Sequence, residues 1–196
     1  IRDDLVTGVQ TCALPIYRSS VIGETEIFNV LDMQSMKSRQ IPATLKSVSK
    51  NAYWYFEDGI SYSSAELERV NMNFEEAIYP TLVNVFGPMW PEGQMDGQRI
   101  TILHAKFGAP LGYYSSKDEY PKYVHSQSNE RKMVTINSRF LNFGTEDYLS
   151  VLTHELLHAI HWKVNKWSSQ WLKEGMAQVA SHLMGHQQEI YSFVGA

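Results

Sequence analysis

The sequence predicts an α+β fold in which a sheet precedes two closing helices. Short segments rich in β-branched and aromatic residues occupy much of the chain before residue 60 and return at 99–107 and 133–137. One segment between these groups carries apolar residues at three- and four-residue steps, as an amphipathic helix does. Two more helical patterns follow the last strand. The order of strands, helix, strand, long loop, strand and two helices is typical of α+β proteins.

The composition is that of one ordinary globular domain. The chain has 196 residues, a net charge of -4, 43% hydrophobic residues and 19% charged residues. This length is enough to bury a core. The mild acidity and the lack of a Lys/Arg cluster argue against nucleic acid as a partner. No apolar run is long enough to span a membrane, so no membrane span is expected.

The first residues are excluded from the predicted fold. The stretch VTGVQTCALPI at residues 6–16 resembles the translation of a sequencing-library adapter. We therefore treat residues 1–16 as a sequencing or cloning artefact, the alternative being an irregular N-terminal arm. The only cysteine, Cys12, lies there, so neither disulfides nor thiol catalysis is expected. Residues 17–196 form the predicted domain.

The first half of that domain contains three predicted strands and a long helix. The strands are residues 26–32, 43–48 and 51–58. Ser63 and Glu66 form a capping-box pattern that begins the helix, and Pro80 should bend it near its end. The apolar stripe of this helix comprises Leu67, Val70, Phe74, Ile78, Leu82 and Val85.

The second half alternates loops with regular elements. Residues 87–97 are a predicted loop, 99–107 a buried strand, 108–131 a long polar loop and 133–137 a short strand. Long loops inside a compact domain are often functional. A second helix is predicted from Thr145 to about residue 163. A third is predicted from residue 168 or 169 to about 184, with Gly185 able to cap it.

An H-E-x-x-H motif lies inside the second helix, at residues 154–158. A four-residue step is slightly more than one helical turn, so His154 and His158 project from one side and can bind one metal ion. Glu155 is rotated by about a quarter turn, which suits a general base beside the metal. The alternative is a chance pairing of two histidines. An apolar opposite face favours a site, and it comprises Leu149, Leu152, Leu156, Ala159 and Ile160.

A catalytic zinc site usually takes a third protein ligand and one water. The metzincin pattern fails, because His161 stands where it needs glycine and Val164 where it needs histidine. Glu174, one helix later, is the better candidate, and its neighbours Gly175 and Ala177 are small enough to let the two helices approach closely. The alternative for Glu174 is an ordinary solvated helix glutamate.

The motif together with W-L-x-E-G-x-A at residues 171–177 resembles secreted bacterial gluzincin metallopeptidases, especially the hyicolysin-like group and more distantly the immune-inhibitor-like proteases. The resemblance is specific over residues 148–180. It implies a zincin-like fold: a twisted mixed sheet with a packing helix, an active-site helix and a glutamate-bearing helix. It also implies one zinc ion, held by His154, His158 and Glu174, with Glu155 as general base.

The same resemblance implies endopeptidase activity on peptide or protein substrates and export from the cell, although this chain carries no signal peptide. Gluzincins normally have a larger helical lobe after the glutamate ligand, so the C-terminal lobe is expected to be truncated and the chain to be a fragment. In zincins the substrate lies along the edge strand of the sheet. Residues 133–137 are our candidate for that strand, through β-augmentation.

Further groups are weaker candidates. An oxyanion-stabilising group is expected, and His161 is expected to line the cleft. The candidates for the oxyanion group are Tyr113, Tyr114, Tyr123, His125 and His182, each with packing or surface exposure as the alternative. Asp118 and Glu119 could bind calcium, the alternative being that both are solvated.

Four functional readings follow from the sequence. The first is a zinc-dependent endopeptidase that uses metal-activated water. The second is a non-catalytic or incomplete zinc-binding remnant of the same fold. The third is another metal-dependent hydrolase such as an exopeptidase, and the fourth is a structural domain with an accidental motif. Peptide specificity and oligomeric state are not predicted.

Overall fold

The computed structural model describes residues 21–90, 98–164 and 168–186. The predicted artefact at residues 1–16, with Cys12, lies outside the described residues. The strands are β1 (Thr25–Asp32), β2 (Lys37–Val48), β3 (Ala52–Glu57), β4 (Ile100–Ala105), β5 (Gly112–Tyr114) and β6 (Met133–Asn137). The α-helices are α1 (Ser64–Asn73), α2 (Tyr79–Phe86), α3 (Glu146–Val164) and α4 (Gln170–Leu183). No helix among the described residues is long and apolar enough to cross a membrane.

The strands form one mixed sheet in the order β1-β2-β3-β4-β6-β5. β1, β2 and β3 make an antiparallel meander. β3, β4 and β6 run parallel, and β5 returns antiparallel to β6. The predicted α+β class is confirmed, and the sheet is mixed as expected. β2 begins earlier than predicted, at Lys37. The sequence did not predict this first part as a strand, because Lys37 to Gln40 are polar and largely exposed and carry no apolar alternation.

One expectation about the sheet was wrong. Strand β6, predicted as the edge strand for a substrate, lies between β4 and β5. The edge strand at this end of the described sheet is β5, which lies inside the segment predicted as a continuous loop. Three residues, one of them glycine, carry no period that sequence reasoning can detect, so only pairing with β6 reveals this strand.

The two faces of the sheet have different partners. Side chains alternate along β3, so Trp54 and Phe56 face the helices and Tyr55 faces the other way. The sheet curls so that its second face encloses a separate core. This core includes Phe28, Val30, Ile41, Leu45, Leu103 and Met133. The helices therefore cover only one face, and α3 packs on the part formed by β5 and β6.

The long helix is interrupted where proline was predicted to bend it. Ser63 and Glu66 form the predicted capping box at its start. A π-helical turn at Phe74–Ile78 precedes α2, and the Tyr79 N–H donates to the carbonyl of Phe74. Pro80 has no N–H and crowds the carbonyl four residues earlier, so the extra residue of a π turn accommodates it. Val85, predicted on the buried stripe, is exposed in the last turn of α2.

Helices α3 and α4 pack against each other with the predicted apolar side of α3 buried. All five residues named for that side are buried. Ala177 is fully buried. Gly175 differs from the expectation, because it is exposed and a Cβ added there would meet nothing within 4 Å. Ala177, not Gly175, is therefore the small residue at the buried side of α4.

Candidate metal centre

The candidate centre is built by α3 and α4. Thr145 begins α3, and its hydroxyl oxygen accepts the N–H of Tyr148. The buried apolar side of α3 fixes the rotation of the helix, so His154 and His158 project from the same side. Both rings converge, with centroids 4.8 Å apart and planes at 79°. α4 brings the carboxylate of Glu174 to the same point.

The donor atoms of these three residues form a compact triangle. The two histidine Nε2 atoms are 3.1 Å apart, and Oε2 of Glu174 lies 3.3 Å from His154 Nε2 and 3.6 Å from His158 Nε2. Neighbouring ligand atoms of a tetrahedral zinc ion with bonds of about 2.0–2.1 Å lie about 3.4 Å apart. The triangle therefore fits one face of such a site. Among the described residues, this is the one group of three or more His, Cys, Asp or Glu side chains that could hold a metal.

The charges of the cluster favour a bound cation. Hydrogen bonds from His154 and His158 hold the pKa of Glu174 well below its usual range. Burial opposes a charge on His158, but its bond to Glu174 and the nearby Glu155 carboxylate outweigh this and raise its pKa. Two carboxylates beside two nitrogen donors thus attract positive charge. A divalent ion supplies more positive charge than a single shared proton does.

Glu155 lies beside the donor triangle and outside it. Burial raises the pKa of Glu155, and the nearby His158, His154 and backbone amide of Tyr114 partly offset this effect. Strand β5 passes directly over this part of α3. A Cβ added to Gly112 would lie 2.7 Å from Val151 Cγ1 and 3.1 Å from Glu155 Cγ. The carboxylate is therefore held between the helix and the sheet edge.

The backbone groups of β5 that do not pair with β6 belong to the residues that face α3. The N–H of Asn137 donates to the carbonyl of Leu111. Because bonded and non-bonded pairs alternate in an antiparallel ladder, Gly112 and Tyr114 direct their N–H and C=O groups away from β6. The N–H of Tyr114 is bonded to the Glu155 carboxylate, so the N–H and C=O of Gly112 and the C=O of Tyr114 are the groups of this strand that neither β6 nor Glu155 takes up.

The structure does not bring all candidate oxyanion residues to the cluster. Tyr113 faces the curled core, where its hydroxyl accepts the N–H of Leu31. Tyr114 lies on the α3 side, but its hydroxyl donates to Glu119 at 2.6 Å. His182 and Tyr123 are exposed, and His125 packs its ring against Tyr120.

His161 lies one turn beyond His158, with its ring against Phe86 at a centroid distance of 6.1 Å. Burial lowers its pKa, and the neighbouring His158 adds to the effect. His161 is not part of the donor triangle. A role of His161 in lining a cleft stays a prediction.

Sequence reasoning missed a buried lysine beside the site. Nζ of Lys132 donates to the Ala159 carbonyl of α3 at 3.0 Å and lies 2.8 Å from Oε1 of Glu119. The same ammonium lies 5.4 Å from the ring centre of Trp90. Lys132 therefore ties the start of β6 to α3. No pattern identifies it, because a lysine before a strand is usually solvated.

The two acidic residues considered for calcium have protein partners. Oδ1 of Asp118 accepts the backbone N–H and the side-chain amide of Asn129, and burial raises its pKa to about 6. Glu119 is paired with Lys132 and Tyr114. These two side chains belong to none of the potential metal-binding groups among the described residues, so we do not propose a calcium site.

No protein-family model matches the chain, and no curated protein matches it. The argument for a function therefore depends on the motif and on the geometry around it. That geometry combines three convergent metal donors, a buried carboxylate beside them and the edge strand β5 above that carboxylate.

Proposed function

We propose that this protein is a zinc-dependent endopeptidase in a zincin-like fold. The single observation that carries the proposal is the triangle formed by His154, His158 and Glu174, with the carboxylate of Glu155 buried next to it. Two donors come from one turn of α3 and the third from α4, which is the arrangement that the sequence predicts. The resemblance in sequence also supports an exported enzyme that acts on peptides outside the cell.

Each side chain has a distinct task in this proposal. His154, His158 and Glu174 would hold zinc, which when bound supplies Lewis acidity for the attack of water on a carbonyl. Glu155 takes the proton of that water and passes it to the leaving amine. Burial raises the pKa of Glu155, whereas a zinc ion in the donor triangle would lower it and so favour the carboxylate form that takes the proton.

Strand β5 is the proposed binding edge for the substrate backbone. Beside Glu155, the N–H and C=O of Gly112 and the C=O of Tyr114 do not pair with β6, and an extended peptide would add to them as a further strand. This replaces β6, which is covered by β5. Backbone pairing at this edge would bring a peptide bond over α3 without a requirement for a particular side chain.

A second reading, a zinc-binding remnant without turnover, is supported by one observation. In other hydrolases a single oxyanion donor contributes a factor of about 10²–10³ to the rate. The hydroxyl of Tyr114 is bonded to Glu119, and Tyr113 lies on the opposite face of the sheet. Cleavage of a peptide library by the zinc-loaded protein separates the two readings.

The first experiment is elemental analysis of the purified protein. We expect about one zinc ion per chain, lost in a His158→Ala, Glu174→Ala double variant, because two of the three donors are then missing. Absence of zinc from the unsubstituted protein would overturn the proposal. Equal zinc in both proteins would overturn the assignment of the ligands.

The second experiment replaces the proposed base. A Glu155→Gln variant should retain zinc and lose a factor of about 10²–10⁴ in kcat, the usual contribution of a general base. Elemental analysis and a fluorogenic peptide assay measure the two quantities. Glu68→Gln, at an exposed position of α1, is the matched control and should change neither. A near-native rate for Glu155→Gln would contradict the role of Glu155.

A further inference from the structure

Three buried polar atoms near the packed helices α3 and α4 have no hydrogen-bond partner among the described residues. They are Nδ1 of His154, Oγ of Ser150 and Nε2 of His186. Buried polar atoms are nearly always paired, directly or through ordered water. Three such atoms in neighbouring residues therefore indicate a hydrogen-bonded connection between them that the direct contacts do not account for.

The three residues follow one another along the contact between the helices. Ser150 is one turn before His154 on α3, and Glu146 is one turn before Ser150. The Ser181 hydroxyl donates to the Ser150 carbonyl at 3.1 Å, and the His186 N–H donates to the Ser181 carbonyl at 3.1 Å. His186 Nδ1 lies 3.0 Å from Oε2 of Glu146. The imidazole of His186 is therefore next to the turn of α3 that carries Ser150.

Donors and acceptors balance along this row. A carboxylate only accepts, so Nδ1–H of His186 donates to Glu146, and Nε2 of the neutral ring is an acceptor. With zinc bound at its Nε2, the ring of His154 carries its hydrogen on Nδ1, which is then a donor. The Ser150 hydroxyl can accept from Nδ1–H of His154 and donate to Nε2 of His186. Each of the three unpaired atoms then has a partner of the right kind.

We propose that Ser150, His186 and Glu146 form a positioning chain behind His154, with buried water joining the three unpaired atoms. The inference depends on the proposed function, because it assigns to this chain the orientation of a zinc ligand. A hydrogen bond to the rear nitrogen of a metal-binding histidine fixes its tautomer and increases its basicity. The chain ends at the surface, since the side chain of Glu146 is 77% exposed.

The test compares zinc affinity, measured by competition with a chromogenic chelator. Loss of a partner behind a metal-binding histidine weakens affinity by about 10- to 100-fold. We expect about a tenfold loss in Ser150→Ala and a smaller loss in Glu146→Gln. Asp147→Asn removes the same charge from the same helix terminus, and Ser181→Ala removes a hydroxyl from the same interface. Both controls should retain the affinity within about a factor of two.

A second readout does not depend on measuring affinity. In the zinc-loaded protein with ¹⁵N-labelled histidine, the Nδ1–H resonance of His154 should be protected from exchange with solvent. Protection should be lost in Ser150→Ala, while circular dichroism and thermal unfolding show a folded protein. If Ser150→Ala does not fold, the surface variant Glu146→Gln decides by the same two measurements.

The outcomes separate this inference from the proposed function. Wild-type zinc binding with unchanged affinity and unchanged His154 protection in Ser150→Ala and Glu146→Gln would overturn the chain alone. A wild-type protein that binds no zinc would overturn the proposed function and the role of the chain in it. Equal losses in Asp147→Asn and Glu146→Gln would show an effect of helix-terminal charge and would overturn the chain as well.

Discussion

His104 shows how one buried side chain joins the sheet to α3. Its Nδ1–H donates to the carbonyl of Tyr55 at 2.9 Å, so its Nε2 accepts the hydroxyl of Tyr148, also at 2.9 Å. The ring is stacked on Phe56 with centroids 4.0 Å apart. Burial lowers the pKa of His104 to about 4, so the ring stays neutral in the folded protein at neutral pH.

This buried ring predicts a pH dependence of stability. As the pH falls from about 6.5 to 4, an unfolded chain protonates His104 and the folded protein does not. The stabilising contribution is therefore complete above pH 6.5 and decreases toward pH 4, by about 3 kcal/mol at most. We expect the difference in free energy of unfolding between wild type and His104→Phe to shrink over this range.

Urea titrations of both proteins at pH 7 and pH 4.5 measure that difference. The comparison is needed because the raised pKa of Asp118 acts with the opposite sign over part of the same range, stabilising the fold as pH falls. That contribution is common to both proteins and cancels. A difference that does not change with pH would contradict a neutral buried His104.

Among the elements, β5 depends most on a single residue type. Gly112 lies so close to α3 that an added Cβ would meet Val151 Cγ1 at 2.7 Å and the Thr135 carbonyl oxygen at 3.3 Å. The absence of a side chain therefore lets the edge of the sheet lie directly against α3. The same contact holds the Tyr114 amide near Glu155.

Gly112→Ala is expected to displace β5 from α3. The crowding should cost about 1–3 kcal/mol in the free energy of unfolding and reduce peptide turnover. Zinc content should not change, because its proposed ligands lie on α3 and α4. Gly175→Ala is the matched control: its Cβ meets open space inside α4, so it should stabilise by about 0.5–1 kcal/mol. Urea unfolding, elemental analysis and a peptide assay check the three quantities.

For the whole molecule, the donor triangle connects α3 to α4. A metal ion bound there joins the two helices in the folded state and is released when they separate. Such binding stabilises by about 2.7 kcal/mol when free zinc is about 100 times Kd. We therefore expect zinc to raise Tm by about 5–10 °C, and a chelator to reverse the shift.

Differential scanning calorimetry with and without zinc measures this effect. The His158→Ala, Glu174→Ala double variant should unfold at the same temperature in both conditions. A similar shift in the double variant would show that zinc binds elsewhere on the protein.

The long segment between β4 and β6 connects the two ends of the curled sheet. Its Asn129 side chain pairs with both backbone groups of Asn29 in β1, at 2.8 and 2.9 Å. Arg131 forms an ion pair with Glu26 at 2.7 Å, and the hydroxyl of Tyr113 accepts from Leu31. Because β5 belongs to the same segment, the contacts that cover β1 also hold the proposed binding edge in place.

The sequence by itself determined the elements with a clear local period. The histidines and Glu155 share one helix with a buried apolar back, and Glu174 comes on the next helix, so a candidate centre could be predicted from helical spacing. The capping box at Ser63 and the start of α3 at Thr145 follow from side chains that bond their own helix termini.

Only the tertiary structure decided which strand forms the edge and which face each loop residue takes. β5 has only three residues and forms by pairing with β6, so no local periodicity predicts it. The faces of Tyr113 and Tyr114, the burial of Lys132 and the contact of His186 with Glu146 depend on segments far apart in sequence. Local periodicity indicates which face of a single element is apolar, whereas these positions are set by long-range packing.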